Sequence, residues 1–169
     1  MKEQVEIAQL ETEWGVVYAL FTVKGLCWLG ESNTAGKQWA KAHLANPSFS
    51  EAKQEKREQL FSQIKTFLNG TCDSFSIPYD LRGTTFQQSV WQALLTIPYG
   101  QTQTYAAVAK YIHKPRAVRA VGSACRKNPL PLVIPCHRVI SSRGIGNYSG
   151  VLKSKKELLQ LEAISCTCR

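Results

Sequence analysis

Between Asp80 and Glu157 the chain has no acidic residue at all. A stretch so one-sided in charge repels itself unless a polyanion is its partner, which makes nucleic acid the leading candidate. Also missing is any apolar run near the ~18 residues that a membrane-spanning helix needs. The opening Met1-Lys2-Glu3-Gln4-Val5-Glu6 has acids where a secretion signal needs a cationic start and an apolar core. There is no C-x-x-C, and three histidines accompany the six cysteines, so the usual spacing of a structural zinc site is absent and no metal or cofactor is expected. Cysteines in a chain of 169 residues without a secretion signal read as reduced thiols rather than as a disulfide framework. The expectation is a soluble cytoplasmic protein with no membrane partner, nuclear if the source is eukaryotic.

What is present divides in two. Residues 1–80 hold 8 Lys and Arg against 10 Asp and Glu, whereas residues 81–169 hold 13 against 2, so the net charge of +9 arises wholly in the second part. The boundary between domains 1–80 and 81–169 is expected where the sign changes, near Asp80-Leu81-Arg82-Gly83. In the first part, β-branched and aromatic runs at Val5 to Leu10, Gly15 to Val23 and Leu26 to Leu29 predict antiparallel strands. Helical patterning follows over about 37–44 and 53–68. This is a small α/β module without a cluster that would carry chemistry.

Four helices are predicted in the second part. Thr84 or Thr85 caps the first and Thr104 the second, while Pro115 opens a third. In that third helix Ala117, Ala120, Val121 and Ala124 point inward, and Arg116, Arg119, Ser123 and Arg126 line the other side. Two short helices with a tight connection, the second studded with arginine outside, suit a helix-turn-helix on DNA.

A predicted strand Leu132-Val133-Ile134 leads into Pro135-Cys136-His137-Arg138-Val139-Ile140. A cysteine flanked by His and Arg in a basic domain is a candidate thiolate, since nearby cations favour the charged form, although apolar neighbours oppose it. Adjacent strand residues face opposite ways, so His137 reaches Cys136 through a bend at Pro135 or a bridging water. Ser154-Lys155-Lys156-Glu157 matches a capping box, and Glu162 shares the apolar face of Leu158 in the helix it opens. A buried carboxylate there needs a partner, and the His137 imidazole is a suitable one. Between these lies a loop, residues 141–150, whose glycines admit a ligand close to backbone N–H groups.

Together these residues resemble the O6-alkylguanine-DNA alkyltransferase family, the methylated-DNA–protein-cysteine methyltransferases. The resemblance runs from about Gly83 to Ala163 through Phe86-Gln87, Ile97-Pro98-Tyr99-Gly100, Thr104-Tyr105, Arg119-Ala120-Val121-Gly122, Asn128-Pro129, the segment from Ile134 to Ile140, Tyr148-Ser149-Gly150 and the ending from Leu158-Leu159 to Glu162. It implies an α/β (α+β) chain: a structural ribonuclease-H-like α/β domain, then a mostly helical winged helix-turn-helix domain. It implies DNA repair by stoichiometric transfer of an alkyl group from O6 of guanine to Cys136, with O4-methylthymine a further candidate substrate. His137 and Glu162 then form the relay, Tyr105 serves the departing guanine, and Asn128 braces the turn before the cysteine. Arg119 fills the stack left by a flipped base, Tyr148 packs beside that base, and the Ser149 N–H binds near O6. Ala120 and Gly122 admit the minor groove, and Arg126, Val139 and Lys155 complete the expected contacts. The implied partner is double-stranded DNA bound by a monomer, without cofactor. Val151 and Thr85 depart from the glycine and proline that many members have there. The competing expectation is a DNA- or lesion-binding winged-helix protein without catalysis, which the presence of Cys136 disfavours. A papain-like hydrolase suits the adjacent Cys136-His137 poorly.

Overall fold

This computed structural model divides into two compact units, Met1–Arg82 and Gly83–Arg169. It describes residues 1–146, 148 and 150–167, with the side chains of 164–167 left out. Among the described residues no helix is long and apolar enough to cross a membrane.

In the first unit β1 (Gln4–Thr12), β2 (Gly15–Thr22) and β3 (Gly25–Gly30) form an antiparallel meander, as the alternating apolar runs predict. A fourth strand, β4 (Ser48–Glu51), extends the sheet beside β1 in parallel, giving the order β3-β2-β1-β4. β4 leaves no mark in the sequence pattern, because a four-residue edge strand with Ser48, Ser50 and Glu51 has no apolar run and is defined by backbone pairing alone. Helix α1 (Asn33–His43) is capped by the Ser32 hydroxyl and covers a core of Val5, Leu20, Cys27, Ala40 and Leu44. Helix α2 (Gln54–Leu68) buries Leu60, Ile64, Phe67 and Leu68. The unit closes on Arg82, whose guanidinium donates to Asp80 at 2.8 Å and lies 3.3 Å from a Glu3 carboxylate oxygen.

The second unit is mostly helical. Thr84 caps α3 (Thr85–Leu95) in a reciprocal capping box with Gln87, and Trp91 donates its indole N–H to the Ala124 carbonyl at 2.9 Å. Thr104 caps α4 (Tyr105–Tyr111), and α5 (Val118–Arg126) packs against both α3 and α4. The short strands β5 (Gln103–Thr104) and β6 (Val139–Ile140) pair in parallel, and α6 (Lys155–Thr167) ends the described chain. Ser154 and Glu157 exchange hydrogen bonds at its start, the Ser154 N–H donating at 2.7 Å and the Glu157 N–H at 3.3 Å.

Three local expectations are corrected. Pro115 does not open α5, which starts at Val118; Pro115 and Arg116 sit instead in a turn closed by Ala117 N–H donating to the Lys114 carbonyl at 2.9 Å. Ala120 is exposed rather than inward, since Val121, Ala124 and Cys125 fill the inner face of α5. Leu132-Val133-Ile134 is a turn and not a strand. Pro129 and Pro131 have no N–H for a ladder, Leu132 takes φ +74°, and Ile134 N–H donates back to the Leu130 carbonyl at 2.8 Å.

Candidate active site

Cys136 opens a 3₁₀ turn, Cys136–Arg138, entered from Pro135 and closed by Arg138 N–H donating to the Pro135 carbonyl at 3.0 Å. Asn128 holds this turn in place. Its amide donates to the Ile134 carbonyl at 2.9 Å and to Cys136 Sγ at 3.2 Å, and its carbonyl accepts from Leu130 N–H at 2.9 Å. One side chain thus satisfies buried backbone and presents a donor to the sulfur.

Directly after the cysteine, His137 is fully buried and its Nε2 donates to Glu162 Oε1 at 2.6 Å. Glu162 also accepts from Arg138, Nε at 3.0 and 3.1 Å and Nη2 at 2.9 Å, and from Gly100 N–H at 3.1 Å. Arg138 Nη1 continues to the Ile97 carbonyl at 2.8 Å, and the guanidinium lies 5.4 Å from the Tyr99 ring centre. Burial opposes a charge on Glu162, yet the hydrogen bonds from His137 and Arg138 outweigh it and hold the carboxyl below its ordinary range. For His137 burial wins: the ring sits below the usual imidazole value although Glu162 pulls it up. An ionised carboxylate can only accept, so Nε2 carries the proton and Nδ1 of the neutral ring is the basic nitrogen.

Burial also pushes the Cys136 thiol up, and the Asn128 amide, the Lys155 ammonium and nearby backbone N–H groups reduce this rise without reversing it. The expectation that flanking His and Arg depress the thiol is thereby corrected. The His137 ring is held neutral, and Arg138 turns to Glu162. The resting state is therefore thiol, neutral imidazole and carboxylate.

Above the sulfur lies a cavity of about 550 Å³, bordered by Tyr105, Arg119, Gly122, Arg126 and Tyr148. Tyr105 is half-buried and burial raises its phenol. Gly146, at φ +78°, lies so close that an added Cβ would be 3.1 Å from the Tyr105 hydroxyl. A Cβ on Gly150 would overlap the Tyr148 ring, so that glycine gives the tyrosine its place. Lys155 is not a surface contact: it is buried, its ammonium donates to the Val139 carbonyl and lies 5.7 Å from the Tyr105 ring centre, and burial lowers its pKa.

The structure therefore brings Cys136, Tyr105, Arg119, Gly122, Arg126 and Tyr148 to one cavity, with Asn128, His137, Glu162, Val139 and Lys155 behind it. Ala120 is exposed on α5, and Ser149 lies outside the described residues. Sequence reasoning missed Arg138, Gly100 and Cys125 as members of the site. A buried carboxylate beside His137 was itself the signal for a cation such as Arg138, whereas nothing in a tight turn marks Gly100 as a donor. Among the described residues no three His, Cys, Asp or Glu side chains converge as a metal site requires.

The chain is similar in sequence and fold to known proteins. A family model described as 6-O-methylguanine DNA methyltransferase, DNA binding domain, matches residues 85–164. The inducible methylated-DNA–protein-cysteine methyltransferase of Bacillus subtilis is 40% identical over 149 residues, which cover 86% of this chain and 83% of that protein. A methylated-DNA–protein-cysteine methyltransferase of Mycobacterium leprae is 49% identical over 102 residues, 60% of this chain and 62% of the relative. Among solved structures, Mycobacterium tuberculosis OGT in complex with DNA superposes with a TM-score of 0.75 at 30% identity, covering 98% of this chain and 94% of that one.

Proposed function

This chain belongs to the methylated-DNA–protein-cysteine methyltransferase family, and from that premise we propose that it repairs O6-alkylguanine in double-stranded DNA by moving the alkyl group once onto Cys136. The observation that carries this reading is the arrangement around the sulfur. Cys136 borders the cavity, and the next residue, His137, is held by Glu162 in the tautomer whose Nδ1 can take a proton.

In the proposed step the thiol proton passes through a water to His137 Nδ1 as Sγ attacks the alkyl carbon in line. The S–C bond forms, the C–O6 bond breaks, and its electrons go to the guanine, which takes a proton from Tyr105. Glu162 stabilises the imidazolium and keeps its own charge because Arg138 and Gly100 hold it ionised. Since burial holds the thiol protonated at rest, the proton leaves only as the substrate excludes bulk water and charge starts to move. The product is a thioether, which no group in the cavity hydrolyses, so each chain acts once.

Reaching O6 requires extruding the nucleotide, at a cost of a few kcal/mol. Arg119 is exposed at the cavity rim on α5 and supplies the side chain that fills the gap. Gly122 and exposed Ala120 let α5 approach the minor groove, Tyr148 packs beside the extruded base, and the first unit is a structural support. The protein acts as a monomer, and O4-methylthymine is a second substrate to be assayed.

The test is stoichiometry: incubation with excess duplex carrying labelled O6-methylguanine. One label per chain and none on Cys136→Ser agree with the proposal. Lesion binding without transfer would instead make the protein a recognition module.

A further inference from the structure

A second thiol faces the same cavity. Cys125 lies in the last turn of α5, on the side shared with the cavity-lining Val118 and Gly122, seven and three positions before it. It is free, 8% exposed, and unused by the chemistry above. Its backbone carbonyl accepts from Asn128 N–H at 3.2 Å, and the side chain of that same asparagine reaches Cys136 Sγ at 3.2 Å, so one residue ties both cysteines to the same turn. Electrostatics agree: burial first, then the charge of Cys136, pushes Cys125 up to about 12.

Resting on the transfer reading, we propose that Cys125 is a second nucleophile, which closes a thioether bridge to Cys136 when the delivered alkyl group has a leaving group on its second carbon. With an O6-(2-chloroethyl)guanine lesion, transfer leaves a 2-chloroethyl group on Cys136. The Cys136 sulfur then displaces chloride from the second carbon and forms a three-membered episulfonium. Cys125 Sγ attacks a ring carbon, that S–C bond opens, its electrons return to the Cys136 sulfur, and the Cys125 proton passes to His137 or water. The net change replaces two thiol hydrogens by –CH₂CH₂– and releases guanine and chloride.

A neutral thiol suffices against so strong an electrophile, so the burial that keeps Cys125 protonated does not prevent attack. A bridge of two carbons also reaches further than a direct sulfur–sulfur bond. Tethering the electrophile in a cavity that Cys125 borders gives this thiol a high effective concentration relative to entering water.

The experiment uses the full chain and a duplex carrying O6-(2-chloroethyl)guanine, with an O6-methylguanine duplex alongside. The expected result is an added mass of two carbons without chlorine or oxygen, loss of two of the six thiols after denaturation, and one linked peptide pair containing Cys125 and Cys136. Cys125→Ala is expected to gain a hydroxyethyl group instead and to lose one thiol. A hydroxyethyl group on Cys136 of the unaltered chain, with Cys125 still titratable, would overturn the bridge and leave transfer standing. No mass gain from either lesion would remove the transfer reading and the bridge with it.

Discussion

At the residue scale, the buried group formed by His137, Arg138 and Glu162 is where stability and the proposed reactivity are tested together. Glu162→Gln keeps a partner for the imidazole but leaves the Arg138 cation buried without its anion. Breaking a buried pair in this way costs about 3–5 kcal/mol, so the melting temperature of the second unit is expected to fall markedly and the transfer rate by about tenfold to a hundredfold or more, in line with loss of acid–base assistance. The pH dependence has a definite sign. His137 is depressed below its usual 6.5 in the folded state, so the unfolded chain binds more protons as pH falls through 6.5. Glu162, depressed below 4.5, adds a second loss at lower pH. Stability is therefore full above about pH 6.5 and declines on the acid side. The acid limb of the transfer rate lies below 6.5, where His137 gains its proton before substrate arrives. Denaturant titrations and single-turnover rates across pH 4 to 8 check both.

Asn128 makes a second residue-scale case. Asn128→Ala removes donors from Cys136 Sγ and from the buried Ile134 carbonyl; an unsatisfied buried group costs about 1–3 kcal/mol. The thiol, losing the hydrogen bond that most opposes its rise, becomes harder to ionise. Slower reaction with a small thiol reagent in the folded state, together with a slower transfer rate, is the expected result.

At the scale of the element, α5 separates folding from function. A Cβ on Gly122 would meet only the Tyr105 ring at 3.9 Å, which is ordinary contact, so packing does not demand glycine there. Gly122→Ala is expected to stabilise the protein by up to about 1 kcal/mol through helix propensity and to weaken duplex binding, read by thermal melting and a DNA titration. Arg119→Ala is expected to slow transfer on duplex lesions more than on single-stranded ones, where no stack has to be filled.

The same elements show what a sequence exposes and what it hides. Local signals with their own chemistry were legible: the meander runs, the caps at Thr84 and Thr104, the Ser154 capping box, and Glu162 on the face of Leu158. Features decided by distant partners were not. β4 exists because β1 offers it backbone pairing, and the turn at 132–134 exists because two prolines and the Asn128 side chain outvote three β-prone residues. Arg138 looked like an activator of its neighbour, but a 3₁₀ turn sends it to a carboxylate from α6.

At the scale of the whole molecule, charge is segregated by unit: the acid-free stretch from Leu81 to Lys156 lies almost wholly in the unit holding the cavity. Binding driven by phosphate neutralisation weakens steeply with salt, by about 10³ or more between 50 and 200 mM when six or more phosphates are contacted. The expected result is such a slope for intact duplex.

The most direct test of the central claim is intact-mass spectrometry after incubation with a duplex carrying a single O6-methylguanine, followed by peptide mapping. The account predicts a gain of one methylene unit, located on Cys136 and absent from Cys136→Ser. An unchanged mass for a folded protein that still binds the lesion, or a methyl group on any other residue, would contradict it.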